Sequence, residues 1–159
     1  MSFIILYLHL LHNYLKMFSK TCEYAIKSLI FVAQKTKQNV KVAVEEIAIE
    51  TGAPKHFVAK ILQDLRRKKL VLSIKGPNGG FYMDQRCLNL SIAAIVKAVD
   101  GEGIYLDCII GLKSCSEKNP CPLHFEYKEI KKNLLKMLEK NTIGEFNEIL
   151  NSGKYFLKC

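Results

Sequence analysis

The sequence predicts a mainly α-helical fold carrying one small β-hairpin. Three observations lead there. Apolar residues recur at helical spacing in five separate segments. Two short alternating runs, VLSIK and FYMD, flank a Pro-Asn-Gly-Gly turn, the pattern of a hairpin. From Pro122 onward a four-three apolar spacing is sustained, as in a helix packed lengthwise against another helix.

The first helix is expected from Thr21 to about Gln34, where TCEYAIKSLIFVAQ is nearly continuous in helix formers. A short second helix follows, VEEIAIET, with Gly52 placed to stop it in a left-handed turn. Pro54 suits the first turn of a third helix, whose Phe57, Val58, Ile61, Leu62 and Leu65 repeat at helical spacing through Leu70. Two helices joined by Gly-Ala-Pro make a helix-turn-helix, and the hairpin after them makes a wing. Ser91 can cap a further helix, IAAIVKAVD, that ends at Gly101 and closes the domain. Residues 101–121 hold three cysteines, three glycines and a proline without a sustained period, and read as a loop. Leu123, Tyr127, Ile130, Leu134 and Met137 then form the seam of the long helix. The chain offers no obvious second long helix, so a copy of itself is the natural partner. The expected organisation is a winged helix-turn-helix domain over 17–100, the cysteine loop over 101–121, and a dimerisation helix with a C-terminal tail over 122–159.

At 159 residues, 49% hydrophobic and 25% charged, the chain has the composition of a globular protein and not of a fibrous or disordered one. The opening MSFIILYLHLLHNYLK lacks a basic start, is interrupted by His9 and His12, and falls short of the roughly 20 residues a membrane span needs. No membrane anchor is expected. Met17 opens a segment that reads as a natural start, so residues 1–16 are expected to be an N-terminal extension, with an additional helix as the alternative. Six unevenly spaced cysteines without a secretory signal suit the reducing cytoplasm.

Charge is concentrated where the helix-turn-helix lies. Residues 55–86 contain eight Lys or Arg against two acids, which is six of the formal net charge of +9. Dispersed solvating charge would not cluster so, and double-stranded DNA is the partner this predicts. On the third helix Lys55, His56, Ala59, Lys60, Gln63 and Arg67 fall outside the apolar stripe, and the wing tip offers Lys75 and Asn78 on a glycine-rich backbone. Lys55, Lys60 and Lys75 suit phosphate contacts, whereas His56, Gln63 and Asn78 suit base edges.

Cys108, Cys115 and Cys121, with His124 three residues on, can gather around one centre. Thiolate suits zinc and iron-sulfur clusters alike; the wide spacing favours a cluster, because zinc sites usually bring cysteines in tight pairs. Three incidental loop thiols are the plain alternative. Cys22, Cys87 and Cys159 are expected to serve packing or nothing, and His9 and His12 receive no role. An enzyme lacks support, for no C-x-x-C pair, phosphate loop or nucleophile with its base is present.

Taken together, EYAIKSLIFVA, GPNGGF after SIK, IVKAVDG and C-x6-C-x5-C-P-L-H resemble the Rrf family of winged-helix transcriptional regulators, from Met17 to about Leu150. The resemblance implies a homodimeric DNA binder holding a two-iron two-sulfur or four-iron four-sulfur cluster on Cys108, Cys115 and Cys121. His124 matches the histidine that completes the cluster in some relatives. Glu23, before Tyr24-Ala25, matches an acidic ligand that others draw from the partner subunit. The first cysteine gap is one residue longer than usual in the family, and Ala59 stands where one relative carries a glutamate that ties DNA preference to cluster state. A cluster-free regulator of the same fold, sensing by thiol oxidation or through a protein partner, is the alternative.

Overall fold

In the computed structural model, residues 17–151 and Gly153 are described; residues 1–16, with His9 and His12, and Cys159 lie outside that range. Helix α1 spans Lys20–Lys37 and starts where the Ser19 hydroxyl accepts from the Cys22 amide at 3.0 Å. Its buried residues, among them Ala25, Leu29, Ile30, Val32 and Ala33, occupy most of its circumference. It packs against every principal element of the domain and is its spine.

Helix α2, Val44–Thr51, begins where Glu46 reaches back to the Ala43 amide at 3.2 Å. It ends at Gly52, left-handed at φ 66°. Ala53 is buried in the turn, and Pro54 caps α3, Lys55–Arg67. The stripe Val58, Ile61, Leu62 and Leu65 is buried against α1 and α2, and Phe57 meets Tyr24 edge-on at 5.9 Å. The sequence carries α3 on to Leu70, but the chain turns at Lys69, which takes φ 59°.

Strands β1, Leu72–Ile74, and β2, Gly80–Tyr82, pair antiparallel, with Ser73 opposite Phe81. Val42 adds a separate antiparallel bridge to β2 by exchanging both backbone bonds with Phe81, at 2.8 and 2.9 Å. A short helix α4, Gln85–Leu88, returns the chain to α5, Ile92–Asp100, which Ser91 caps as expected.

Beyond α5 the loop contains one helical turn, α6, Gly103–Leu106. Helix α7 runs His124–Lys140 and contacts α5 and α6. The C-terminal tail expected after it holds a further helix, α8, Ile143–Asn151, which folds back onto α1 and α4. Ile143 is fully buried there, and Thr142 and Glu145 cap each other's amides at 3.2 and 3.0 Å. No helix among the described residues is long and apolar enough to cross a membrane.

Candidate functional site

Two surfaces carry chemistry. The first is built by α3 and the hairpin. With its apolar stripe buried, α3 turns Lys55, His56, Lys60, Gln63 and Arg67 to solvent, while Ala59 is half-buried. At the wing tip Gly76 takes φ 112° and accepts from the Gly79 amide at 2.9 Å, leaving Lys75 and Asn78 exposed. All seven residues expected to face DNA are therefore solvent-accessible.

Their charges are not equally available. Lys55 pairs with Glu45 of α2, and Arg67 with Asp64 one turn back. Exposed pairs of this kind contribute little and exchange readily for a phosphate. Lys68 instead donates to the Ala98 carbonyl, and Arg86 to the Lys69 carbonyl at 2.8 Å, where the Cys87 thiol also points. Those two cations from the basic run hold the domain together. Lys60, Arg66, Lys69 and Lys75 make no ion pair among the described residues.

The second surface is the cysteine centre. The sulfurs of Cys108, Cys115 and Cys121 all lie within 4.8 Å of one another, although the loop puts 5 or 6 residues between successive cysteines. Cys108 Sγ and Cys121 Sγ are 3.8 Å apart. Two thiolates sharing one tetrahedral metal with bonds of about 2.3 Å stand at about this separation. His124, the first residue of α7, sets its Nδ1 3.2 Å from Cys115 Sγ, and the imidazole is not part of the mutual sulfur set. The three sulfurs thus form one mutual cluster, and the imidazole joins it through Cys115.

Local electrostatics split the thiols. Backbone amides of Leu112 and then Ile110 hold the Cys108 thiol below its ordinary value, whereas burial first of all pushes Cys121 up. The Cys121 amide points at Cys115 Sγ from 3.5 Å. Around the sulfurs lies a small recess, with Leu106, Ile109, Leu123, Tyr127 and Lys131 in its walls. The buried His124 Nε2 has no hydrogen-bond partner. Soft donors converging in a part-apolar recess fit a thiolate-bound metal or metal-sulfur group.

Glu23 is elsewhere in its own chain, in the first turn of α1 and 2.7 Å from Lys20 Nζ, outside the sulfur set. Cys22 and Cys87 are fully buried core thiols, as expected of them. One residue at the centre escaped sequence reasoning: Lys131, whose Nζ donates to the carbonyls of Leu106 and Asp107, both at 3.1 Å. Its signal was its place two helical turns after His124, on the same face.

Residues 18–148 match a family model described as Rrf2, iron-dependent transcriptional regulator. An HTH-type transcriptional regulator of Aquifex aeolicus is 32% identical over 134 residues, spanning 83% of this chain and 92% of that protein. The HTH-type transcriptional regulator IscR of Vibrio cholerae is 27% identical over 130 residues, covering 80% of this chain and 74% of that one. Among solved structures, CymR, the global cysteine regulator of B. subtilis, superposes with a TM-score of 0.67 at 18% identity, over 82% of this chain and 95% of the other. IscR of T. potens gives 0.66 at 17%, over 87% and 90%.

Proposed function

This chain belongs to the Rrf2 family of transcriptional regulators, and on that premise we propose that it is a homodimer whose affinity for duplex DNA is set by an iron-sulfur cluster on the cysteine loop. The family is one of DNA-binding regulators, not of enzymes.

The reading is supported above all by the convergence of three loop thiols and one imidazole beside the helix that leaves an apolar stripe exposed. Cys108, Cys115 and Cys121 would hold the group, with His124 completing it. With the imidazole outside the mutual sulfur set, the four donors suit a two-iron centre better than a single zinc ion, which needs all four mutually near. His124 is favoured over Glu23 because its own chain already brings it to Cys115. Such a group supplies one-electron chemistry and sensitivity to oxidants, iron supply and nitric oxide.

The residues of this chain do the rest. The recognition helix α3 enters the major groove and the wing tip reaches the adjacent minor groove, Lys55, Lys60, Arg67 and Lys75 meeting phosphates while His56, Gln63 and Asn78 read edges. The partner copy presents the same surface to the next half-site. His124 opens α7, so a change of ligation at the loop is felt at the start of the dimer helix and alters the spacing of the two readers. A tenfold change in affinity needs about 1.4 kcal/mol.

Anaerobic purification followed by an absorption spectrum, iron and sulfide analysis, and a DNA shift assay with and without the chromophore tests this. A coloured protein with iron and sulfide in equal amounts, and affinity that changes when they are removed, is expected. The 3.8 Å between Cys108 and Cys121 also favours a second reading, in which a cluster-free protein senses a two-electron oxidant such as a peroxide, which takes two electrons and the two thiol protons as the pair closes into a disulfide. A colourless, iron-free anaerobic protein whose affinity follows thiol oxidation would select it.

A further inference from the structure

We propose that Lys131 is a positioning residue that latches the cysteine loop to α7, so that rearrangement at the thiols is passed to the dimer helix and not absorbed by the loop. The coupling to DNA rests on the function proposed above; the latch itself does not. Lys131 lies two helical turns after His124, on the face of α7 that meets α6 and the loop. Its Nζ donates to the carbonyls of Leu106 and Asp107, the two residues just before Cys108, at 3.1 Å each. The ammonium also stands over the Tyr127 ring, 5.1 Å from its centroid, and the side chain lines the recess that holds all three thiols.

Before this point α6 is held by Ile104 and Tyr105 on the core and by the Asp107 amide donating to the Gly103 carbonyl at 2.8 Å; beyond Asp107 the segment is tied mainly to itself. Within it, Gly111 donates to the Cys108 carbonyl at 2.9 Å and Cys115 to the Leu112 carbonyl at a long 3.4 Å. Leu106, Ile109, Ile110 and Leu112 are exposed, so the core contact made by Ile104 and Tyr105 does not extend into the segment around Cys108. On the far side Lys128 pairs with Glu117, both exposed to solvent, and salt will screen that pair. Lys131 differs because it grips backbone carbonyls: its charge strengthens both bonds, and carbonyls cannot titrate away or swing aside.

Besides the exposed Lys128–Glu117 pair, the same helix therefore grips the loop at Cys115 through His124 and just before Cys108 through Lys131. With both grips in place, displacement of Cys108 relative to Cys115 strains or shifts α7. With Lys131 removed, the segment before Cys108 can move alone.

Lys131→Met keeps most of the apolar stem and removes the donor; Lys131→Arg restores a cationic donor. Both are compared with the unaltered full chain under anaerobic conditions. Amide hydrogen exchange at 106–112 should quicken about tenfold in the Met variant and return toward the original rate in the Arg variant. The ratio of DNA affinities between iron-loaded and iron-free protein should fall toward one in Met and persist in Arg, with iron-free affinities alike in all three. Unchanged exchange in the Met variant overturns the latch, as does equal loosening in Met and Arg. An undiminished affinity ratio in Met overturns the coupling. If the unaltered chain carries no iron, the cluster reading fails by that result, while the exchange rates still decide the latch.

Discussion

Cys22 is fully buried at the start of α1, and its thiol is pushed up to about 12, by burial first and then by the Asp100 carboxylate. In the unfolded chain it returns to its ordinary 9.0, so the unfolded state loses the proton first as pH rises. The folded protein keeps this contribution in full below pH 9 and loses it as the pH climbs from 9 toward 12. The expected slope is about 1.4 kcal/mol per pH unit from this one thiol. Urea unfolding at pH 8 and pH 10 should show a shallower fall for Cys22→Ala than for the unaltered chain, whatever offset the variant carries at pH 8. A parallel fall would mean that the thiol is not protected in the fold. At the same scale, two basic residues that look alike in sequence part company. Lys75→Ala should reduce the dependence of log affinity on log salt by about one, the release of one phosphate contact. Arg86→Ala should leave that slope alone and lower stability by about 1 kcal/mol, because its guanidinium serves the Lys69 carbonyl. Counting charges along residues 55–86 finds a basic, exposed segment but cannot separate the two, since the partner of Arg86 is a backbone oxygen that only the fold brings near.

At the scale of elements, the wing depends on a close approach that no other residue permits. Gly80 sits at φ 152°, and a Cβ there would stand 2.8 Å from the Val42 carbonyl oxygen and 2.9 Å from its nitrogen. Those are the atoms that pair with Phe81. Gly80→Ala should cost about 1–3 kcal/mol in thermal or urea unfolding and weaken DNA binding more than Lys75→Ala does, because the whole hairpin loses its bridge to Val42. Retention of both stability and affinity would detach the wing from the reading surface. Helices α2, α3 and α5 were legible because their apolar spacing, Gly52, Pro54 and Ser91 agree at short range. Helix α6 was not, since four residues show no period. Helix α8 was hidden differently: Thr142 and Glu145 spell a capping box, but the long apolar spacing of α7 runs up to it and masks the break. The Val42 bridge joins positions 39 residues apart, and nothing local announces it. At the cysteine centre the ligand types and spacing were visible, whereas the Lys131 grip on Leu106 and Asp107 depends on how α7 lies against α6.

For the whole molecule the question is what covers α7. Its seam splits into two sets once the chain is folded. Leu134 and Leu135 pack against the core and Leu138 is buried, so the C-terminal half is moored to its own domain. Leu123, Ile130 and Met137, seven residues apart, remain 44%, 60% and 54% exposed. A stripe that repeats every seven residues faces one direction along the whole helix, which is the geometry a second α7 would fill by symmetry. A charge at its midpoint should be tolerated by the single chain and not by the pair. Ile130→Glu should therefore retain its helical content and its melting cooperativity at low concentration, sediment as a monomer, and bind a two-half-site DNA at least about a hundredfold more weakly, since each subunit then binds without the benefit of the other. Binding to a single half-site should barely change, because α3 and the wing are untouched. If Ile130→Glu sediments as a dimer, the α7 stripe is not the interface. If it is a monomer that still binds the full site with undiminished affinity, DNA recognition by this chain does not require two copies, and transmission from the cysteine centre through subunit spacing has no substrate to act on.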